Sequence, residues 1–201
     1  MSKGEETKTR ILQQAAELFN QQGYAGSSIS DIMRVTGLQK GGIYNHFSSK
    51  DELALQAFDF AIALVSQRTK AAIRSKHHAI ERLEAIMEVF SSFVEYPPIK
   101  GGCPLLNTAI ESDDAHPALR DRAQQAMNSW LNLISQIITK GINRGEIRFD
   151  VNPDEVATII IATLEGAIMM SKLYDDVIHI QRVITHLKQY INTNLKSYGT
   201  S

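Results

Sequence analysis

Apolar residues recur at three- and four-residue spacing along almost the whole chain, and no segment alternates as a half-buried strand would. The pattern predicts an all-α fold of about nine helices. The first is expected over 5–22, with Ile11, Ala15, Leu18 and Phe19 on one face and Gly23 to end it. In SSISDIMRVTG, Ser28 and Asp31 form a capping box, Ile29, Ile32 and Met33 point inward, and Gly37 closes a short second helix. A third follows at once over 39–45. SSKDEL then starts a fourth, with Ser48 or Ser49 as cap and Asp51 and Glu52 in the first turn. Five more are expected over 79–95, 105–112, 117–143, 154–174 and 177–197, with breaks at YPPIKGGCP, DDAHP and NRGEIRFDVNP.

Two short helices joined by a TGL turn, behind a longer one, have the outline of a helix-turn-helix whose second member enters the DNA major groove. This places a DNA-binding domain at 1–50 and a larger helical domain at 51–201. In the third helix, Leu38, Ile43 and Phe47 share one face, and Gln39, Lys40, Gly42, Asn45 and His46 fall largely opposite. Gly41 and Gly42 stand side by side in its middle turn, where each costs about 1 kcal/mol relative to Ala. Two explanations fit the sequence: the glycines let the backbone approach a duplex, or they mark a loop.

Composition narrows the class. The 201 residues are 43% hydrophobic, enough for one or two modest cores. Only five prolines occur, Pro97, Pro98, Pro104, Pro117 and Pro153, so the chain between them is free to form long helices. The formal charge is −1, with six basic residues against four acidic ones in the first fifty positions. One cysteine, Cys103, excludes an intrachain disulfide and fits a reducing compartment. The polar start MSKGEETKTR has no signal-peptide core after it. The longest nearly uncharged run, ATIIIATLEGAIMM, is short for a membrane span and contains Glu165. A soluble, cytoplasmic protein is expected.

The segment ILQQAAELFNQQGYAGSSISDIMRVTGLQKGGIYNHFSSKDEL resembles the DNA-binding domain of the tetracycline-repressor (TetR) family of bacterial transcription regulators. Within it, GGIYNHFSSKDEL matches that family's small-x-Ile/Leu-Tyr-x-His-Phe-x-x-Lys-x-x-Leu pattern, and GGCPLLNTAIE is similar to a subgroup of the family. Gln39 and Gly42 depart from it, because the family often has hydroxyl residues there. Gln is a poor cap, which leaves the first N–H groups of the third helix to water or a DNA phosphate. The resemblance and the chemistry together imply Tyr44 and His46 as phosphate donors, with Lys50 and the start of the fourth helix adding positive potential. Gln39, Lys40 and Asn45 are the expected base readers, since Asn and Gln pair with adenine and Lys with guanine acceptors. Ser28 either holds a phosphate or is a plain cap, and His46 is alternatively a structural histidine. Lys8 and Arg10 reach the DNA backbone or belong to a solvated helix end.

The penultimate helix is apolar nearly all round, with Ile159, Ile160, Ile161, Ala162, Leu164, Ala167, Ile168, Met169 and Met170. Such a helix must be covered on both sides. Its own core covers one side, and a second copy of the chain the other; Ala162 and Gly166 leave room for close approach. Ile180, Val183, Ile184, Leu187 and Ile191 form a second stripe on the last helix. The resemblance likewise implies a homodimer through the last two long helices, placing two recognition helices about 34–36 Å apart on a near-palindromic operator. It also implies a small-molecule effector in the C-terminal domain. Candidate ligand residues are Phe90, Phe93, Met127, Trp130, Met169 and Tyr174, with Asn107, Glu111, Glu165 and Cys103. Each apolar member is equally a core residue. Glu165, ionisable in an apolar run, pairs across the dimer, lines a pocket or sits at a solvent edge.

Nothing in the chain has the spacing of an enzyme: no HExxH, no phosphate-cradling GxxxxGK, no nucleophilic triad and no Glu-x-x-His pair for a di-iron site. His78 with Glu81 and Asp176 with His179 are isolated pairs. The expectation is therefore a non-enzymatic, sequence-specific DNA-binding regulator without cofactor or metal. It acts as a repressor released from its operator by a small ligand. The alternatives are a redox- or metal-responsive regulator working through Cys103 or the His pairs, and a helical enzyme with a degenerate DNA-binding head.

Overall fold

The computed structural model describes residues 2–112 and 116–197, and the expected helical period governs them. In chain order these form α1 (Lys3–Gln22), α2 (Ile29–Thr36), α3 (Lys40–Tyr44), α4 (Lys50–Ile73), α5 (Ala79–Glu95), α6 (Pro104–Ser112), α7 (Pro117–Asn143), α8 (Pro153–Tyr174) and α9 (Ile178–Tyr190). The break expected at DDAHP falls partly on 113–115, outside the described residues. Among those residues the one β-type pairing is an isolated antiparallel bridge between Ile147 and Lys196. The chain divides into two compact units, Met1–Val65 with Pro97–Ala126 and Ser66–Tyr96 with Met127–Ser201, so that the boundary falls inside α4 and α7.

In the first unit each helix end has an identifiable cause. Ser2 and Glu5 cap α1 reciprocally, and Gly23 ends it at φ 78°. Ser28 and Asp31 do the same for α2, which Gly37 ends in the left-handed conformation. The amide of Leu38 then donates to Thr36 Oγ1 at 3.3 Å, tightening the turn into α3. The core gathers Ile11, Ala15, Leu18, Ile32, Ile43, Phe47 and Leu53, with Leu38 packed against it. Thus the apolar face expected of the third helix is the one that is buried.

The third helix is shorter than its expected 39–45 extent. Only five residues hold helical pairing, and its cap, Gln39, makes no side-chain hydrogen bond. So short a segment has no stability of its own, and two glycines weaken it further. Ile43 and Phe47, 1% and 2% exposed, hold it from inside.

In the second unit α8 packs against both α5 and α9. Asn152 caps α8 and Pro153 occupies its first turn, where the missing N–H costs nothing. A Cβ on Gly141 would lie 2.6 Å from the Cβ of Ala79, so the absent side chain lets α7 close on the start of α5. The last helix also departs from expectation. It is α-helical only to Tyr190 and then widens into a π-helical turn over Ile191–Leu195. There the carbonyl of Leu195 accepts from Arg148 N–H at 2.9 Å, and Ser197 N–H donates to Glu146 at 3.1 Å. Pairing with the 146–148 segment replaces the final α-helical bonds.

α8 also corrects the membrane argument. Judged over its whole length, rather than over the uncharged run alone, it is long and apolar enough to cross a bilayer, and half of it is buried inside the fold. Its outer side carries Ile159, Met169, Met170, Leu173 and Tyr174, while an added Cβ at Gly166 would meet nothing within 4 Å.

The packing of α3 predicts opposite responses from neighbouring positions. Ile43→Ala should lower unfolding stability by about 2–5 kcal/mol, the cost of emptying a core site. Asn45→Ala, at an exposed position, should stay within about 0.5 kcal/mol. Urea denaturation of the two variants checks this, and comparable losses would show that the helix is rotated from the orientation described.

Candidate nucleic-acid interface

The outward side of α3 presents Gln39, Lys40, Gly41, Tyr44 and Asn45, all exposed, while Gly42 and His46 are half-buried. Lys40 Nζ stands 5.8 Å from the centre of the Tyr44 ring. Neither glycine of the pair has a positive φ. A Cβ on Gly41 would touch nothing within 4 Å, and one on Gly42 would meet the Leu38 Cβ at an ordinary 3.6 Å. Alanine therefore fits both positions in the free protein, and the fold itself gives no reason for either glycine.

Ser28, exposed at the start of α2, is engaged as a cap. Its Oγ accepts from Asp31 N–H at 3.1 Å and donates to Asp31 Oδ2 at 2.6 Å. Asp31 also pairs with Arg34 at 3.1 Å. The Ser28 hydroxyl, then its backbone N–H and Arg34, hold the Asp31 carboxyl at about 2, against an ordinary 3.8. At the start of α4, Ser49 Oγ accepts from Glu52 N–H at 3.0 Å. The Glu52 carboxylate accepts from the Ser48 hydroxyl at 2.5 Å and from Ser48 N–H at 2.6 Å, and these two bonds, the hydroxyl's first, lower its pKa.

Lys50 is turned into the fold. Its Nζ donates to the Tyr24 carbonyl at 2.6 Å and lies 4.0 Å over the Tyr24 ring. The Tyr24 hydroxyl donates to Asp51, and burial, followed by that carboxylate, pushes its pKa up to about 12. Lys8 is placed 5.4 Å over the Phe47 ring, and Arg10 is exposed.

Of the expected ligand residues, Cys103, Asn107 and Glu111 belong to the first unit. Glu111 accepts from the backbone N–H of Tyr24 at 2.9 Å and of Ala25 at 2.8 Å. Asn107 Nδ2 lies 2.8 Å from Asn20 Oδ1 and 3.0 Å from the Gly101 carbonyl, and Asn20 Nδ2 donates to Lys100 and Gly102 carbonyls. These side chains fasten α6 and the loop before it to the end of α1 and the loop leading to α2. Cys103 is buried at 1% exposure. No local pattern signals the contacts made to Asn20, Tyr24 and Ala25, because each joins residues eighty or more positions apart.

In the second unit Phe90 stacks on Phe93 at 5.2 Å and meets the edge of Trp130 at 5.1 Å. Phe90 and Trp130 line a cleft of about 490 Å³ formed by α4, α5 and α7. Phe93, Met127, Glu165, Met169 and Tyr174 do not line it: Phe93 and Glu165 are buried, Met127 is half-buried, and Met169 and Tyr174 lie on the outer side of α8. Lys70 and Ile86, which carry no local signal of a ligand site, do line it. His78 caps α5 by accepting from Ile80 N–H at 3.2 Å, and Asp176 accepts from Ile178 N–H at 2.9 Å. Each pair therefore has one member engaged at a helix start.

Comparison with known proteins bears on both units. The family model described as "Bacterial regulatory proteins, tetR family" matches residues 11–57, and "Tetracyclin repressor-like, C-terminal domain" matches residues 79–187. A TetR transcriptional regulator of Chloroflexus aurantiacus is 47% identical, with a TM-score of 0.95 over 98% of this chain and all of that one. A TetR-family regulator from Cytophaga hutchinsonii is 34% identical, with a TM-score of 0.89 over all of this chain and 99% of its own. The HTH-type transcriptional repressor DhaR of Mycobacterium sp. (strain GP1) is 24% identical across 83% of this chain and 82% of its own.

Folding lowers the Asp31 pKa, so its ionised form favours the folded state. That contribution is complete above about pH 4 and vanishes as pH falls through about 2. Melting temperatures of the wild type and Asp31→Asn should therefore differ by a constant amount from neutrality to about pH 4 and converge toward pH 2. A difference that persists undiminished at pH 2 would show that the carboxylate does not cap α2.

Proposed function

The chain belongs to the TetR family of helix-turn-helix transcription regulators, and from that membership we propose that it represses transcription by laying α3 in the major groove of a near-palindromic operator. Members of this family bind operator DNA and are typically dimers, and they are not enzymes. The observation that carries the assignment of α3 is its glycine pair. Each glycine costs about 1 kcal/mol of helix stability where alanine would fit without strain. The vacant side of Gly41 faces outward, which is where a duplex backbone needs room, while that of half-buried Gly42 lies over Leu38.

On that face Gln39, Lys40 and Asn45 read base edges. Tyr44, and His46 at the margin, donate to phosphates. Lys50 and Ser28 act behind them: Lys50 fixes the loop after α1 through Tyr24, and Ser28 fixes α2. Lys8 and Arg10 supply positive charge near the same surface.

The dimer forms on the outer side of α8. Ile159, Ala162, Gly166, Met169 and Leu173 recur there at helical spacing as an apolar stripe with small residues in the middle, and α9 adds to the same interface. The head at 1–50 and the remainder act as DNA-binding and regulatory parts of a cytoplasmic protein. A small effector enters the cleft lined by Phe90 and Trp130 and releases the operator. α4 supplies residues to that cleft and, at its other end, Lys50 and Asp51 to the head, so a ligand that moves α4 acts on both.

Selection from a random duplex pool with the purified protein should enrich a near-palindrome, and no enrichment at low salt would contradict the operator assignment. On that duplex, the Gly41→Ala/Gly42→Ala variant should bind at least about tenfold more weakly. Its free form should melt higher, by about 1–2 kcal/mol of added stability. Wild-type affinity in the stabilised variant would refute the close-approach role of the glycines.

A further inference from the structure

We propose that the cleft between α4, α5 and α7 selects an amphipathic carboxylate: an apolar or aromatic body against Phe90 and Trp130, with its anionic head on Lys70. This rests on the assignment of the cleft as the effector site and adds the chemical class of the effector.

The volume of about 490 Å³ is that of a small-molecule site. Its floor is apolar and largely aromatic: Ile86, Phe90, Trp130 and Ile134 are each 8% exposed or less. Phe90 and Trp130 meet edge to face, which leaves ring surface for a flat or extended apolar body. Around the rim stand hydroxyl and amide side chains, Ser66, Asn132 and Gln136 among them.

Charge then decides the class. Lys70 is the one ionisable residue lining the cleft, and no carboxylate lines it. Among the described residues nothing forms an ion pair or hydrogen bond with its ammonium. A second cation lies nearby in sequence register. Arg82 stands one helical turn before Ile86 and two before Phe90 on α5, and its Nε is enclosed with no hydrogen-bond partner among the described residues. Arg82 does not itself line the cleft, and the free ammonium of Lys70, which does, favours an anion and opposes a cation. The cleft contains no thiol, since Cys103 is buried in the other unit, so recognition here is non-covalent.

Trp130 is the only tryptophan of the chain, so its fluorescence reports on the cleft directly. The test titrates the full-length protein with three probes sharing one body: 4-phenylbutyrate, 4-phenylbutanol and 4-phenylbutylamine. The carboxylate should shift Trp130 emission saturably and bind about tenfold tighter than the alcohol, with the amine weakest. Lys70→Gln, at an exposed position, should bring acid and alcohol to within about twofold while leaving the alcohol's affinity and the melting temperature unchanged. Lys76→Gln, outside the cleft, should preserve the preference. Three results would overturn the proposal: alcohol or amine binding as tightly as the acid, a preference that survives Lys70→Gln, or no probe altering Trp130 emission at millimolar concentration.

A parallel gel shift on the selected duplex separates the two claims. Retained DNA binding without carboxylate binding overturns the ligand class alone. Carboxylate binding that leaves the duplex bound overturns the effector role of the cleft and supports its chemistry.

Discussion

Burial of Ile43 and Phe47 in the core of the first unit is the constraint on which the DNA-facing surface depends. A five-residue helix with two adjacent glycines cannot persist on propensity. It persists here because those two side chains are enclosed among Ile11, Ile32 and Leu53. Fixing them fixes the rotation of the helix, and that rotation alone decides that Lys40, Gly41, Tyr44 and Asn45 look outward. The proposed reading face is therefore a product of core packing: the side chains that set it, Ile43 and Phe47, are enclosed.

Electrostatics are arranged around the same element without stiffening it. The acidic residues at the starts of α2 and α4 serve as caps, the Asp31 carboxylate accepting from Ser28 and that of Glu52 from Ser48, and these hydrogen bonds favour their ionised forms. Lys50 stabilises the Tyr24 loop, and Glu111 holds the same loop through two backbone amides. The loop between α1 and α2 is thus held by charged groups from α4 and α6, while α3 is seated through the apolar side chains of Ile43 and Phe47. A ligand-responsive regulator gains from that division, because polar latches can be rearranged at lower cost than a close-packed core.

Helix positions were largely legible in the sequence because amphipathic period, capping pairs and terminal glycines agree at each boundary. The helix-turn-helix and its inward Leu38, Ile43 and Phe47 came from that agreement. What failed to show has a common cause. The short extent of α3, the π-helical end of α9, the Glu111 and Asn107 fastenings and the Lys70 cleft all depend on residues far apart in sequence. Periodicity carries no information about such pairs. Asn107 and Glu111 are polar candidates for a ligand site by sequence, and in the structure their hydrogen-bonding groups are occupied by backbone and by Asn20. Met169 and Tyr174 have the apolar character of pocket residues, but they sit on the uncovered side of α8. Composition identifies which residues want burial and is silent on what buries them.

α3 is built from within, and on the proposed reading its Gly41 side is left open for DNA. Amide hydrogen exchange of the free protein and of its complex with a selected duplex tests it most directly. The amides of Ile43 and Phe47 should already be protected in the free protein, and those of Lys40 to Asn45 should slow further on the duplex. Free-loop exchange across α3 without DNA, or protection on the duplex confined to other elements, would contradict it.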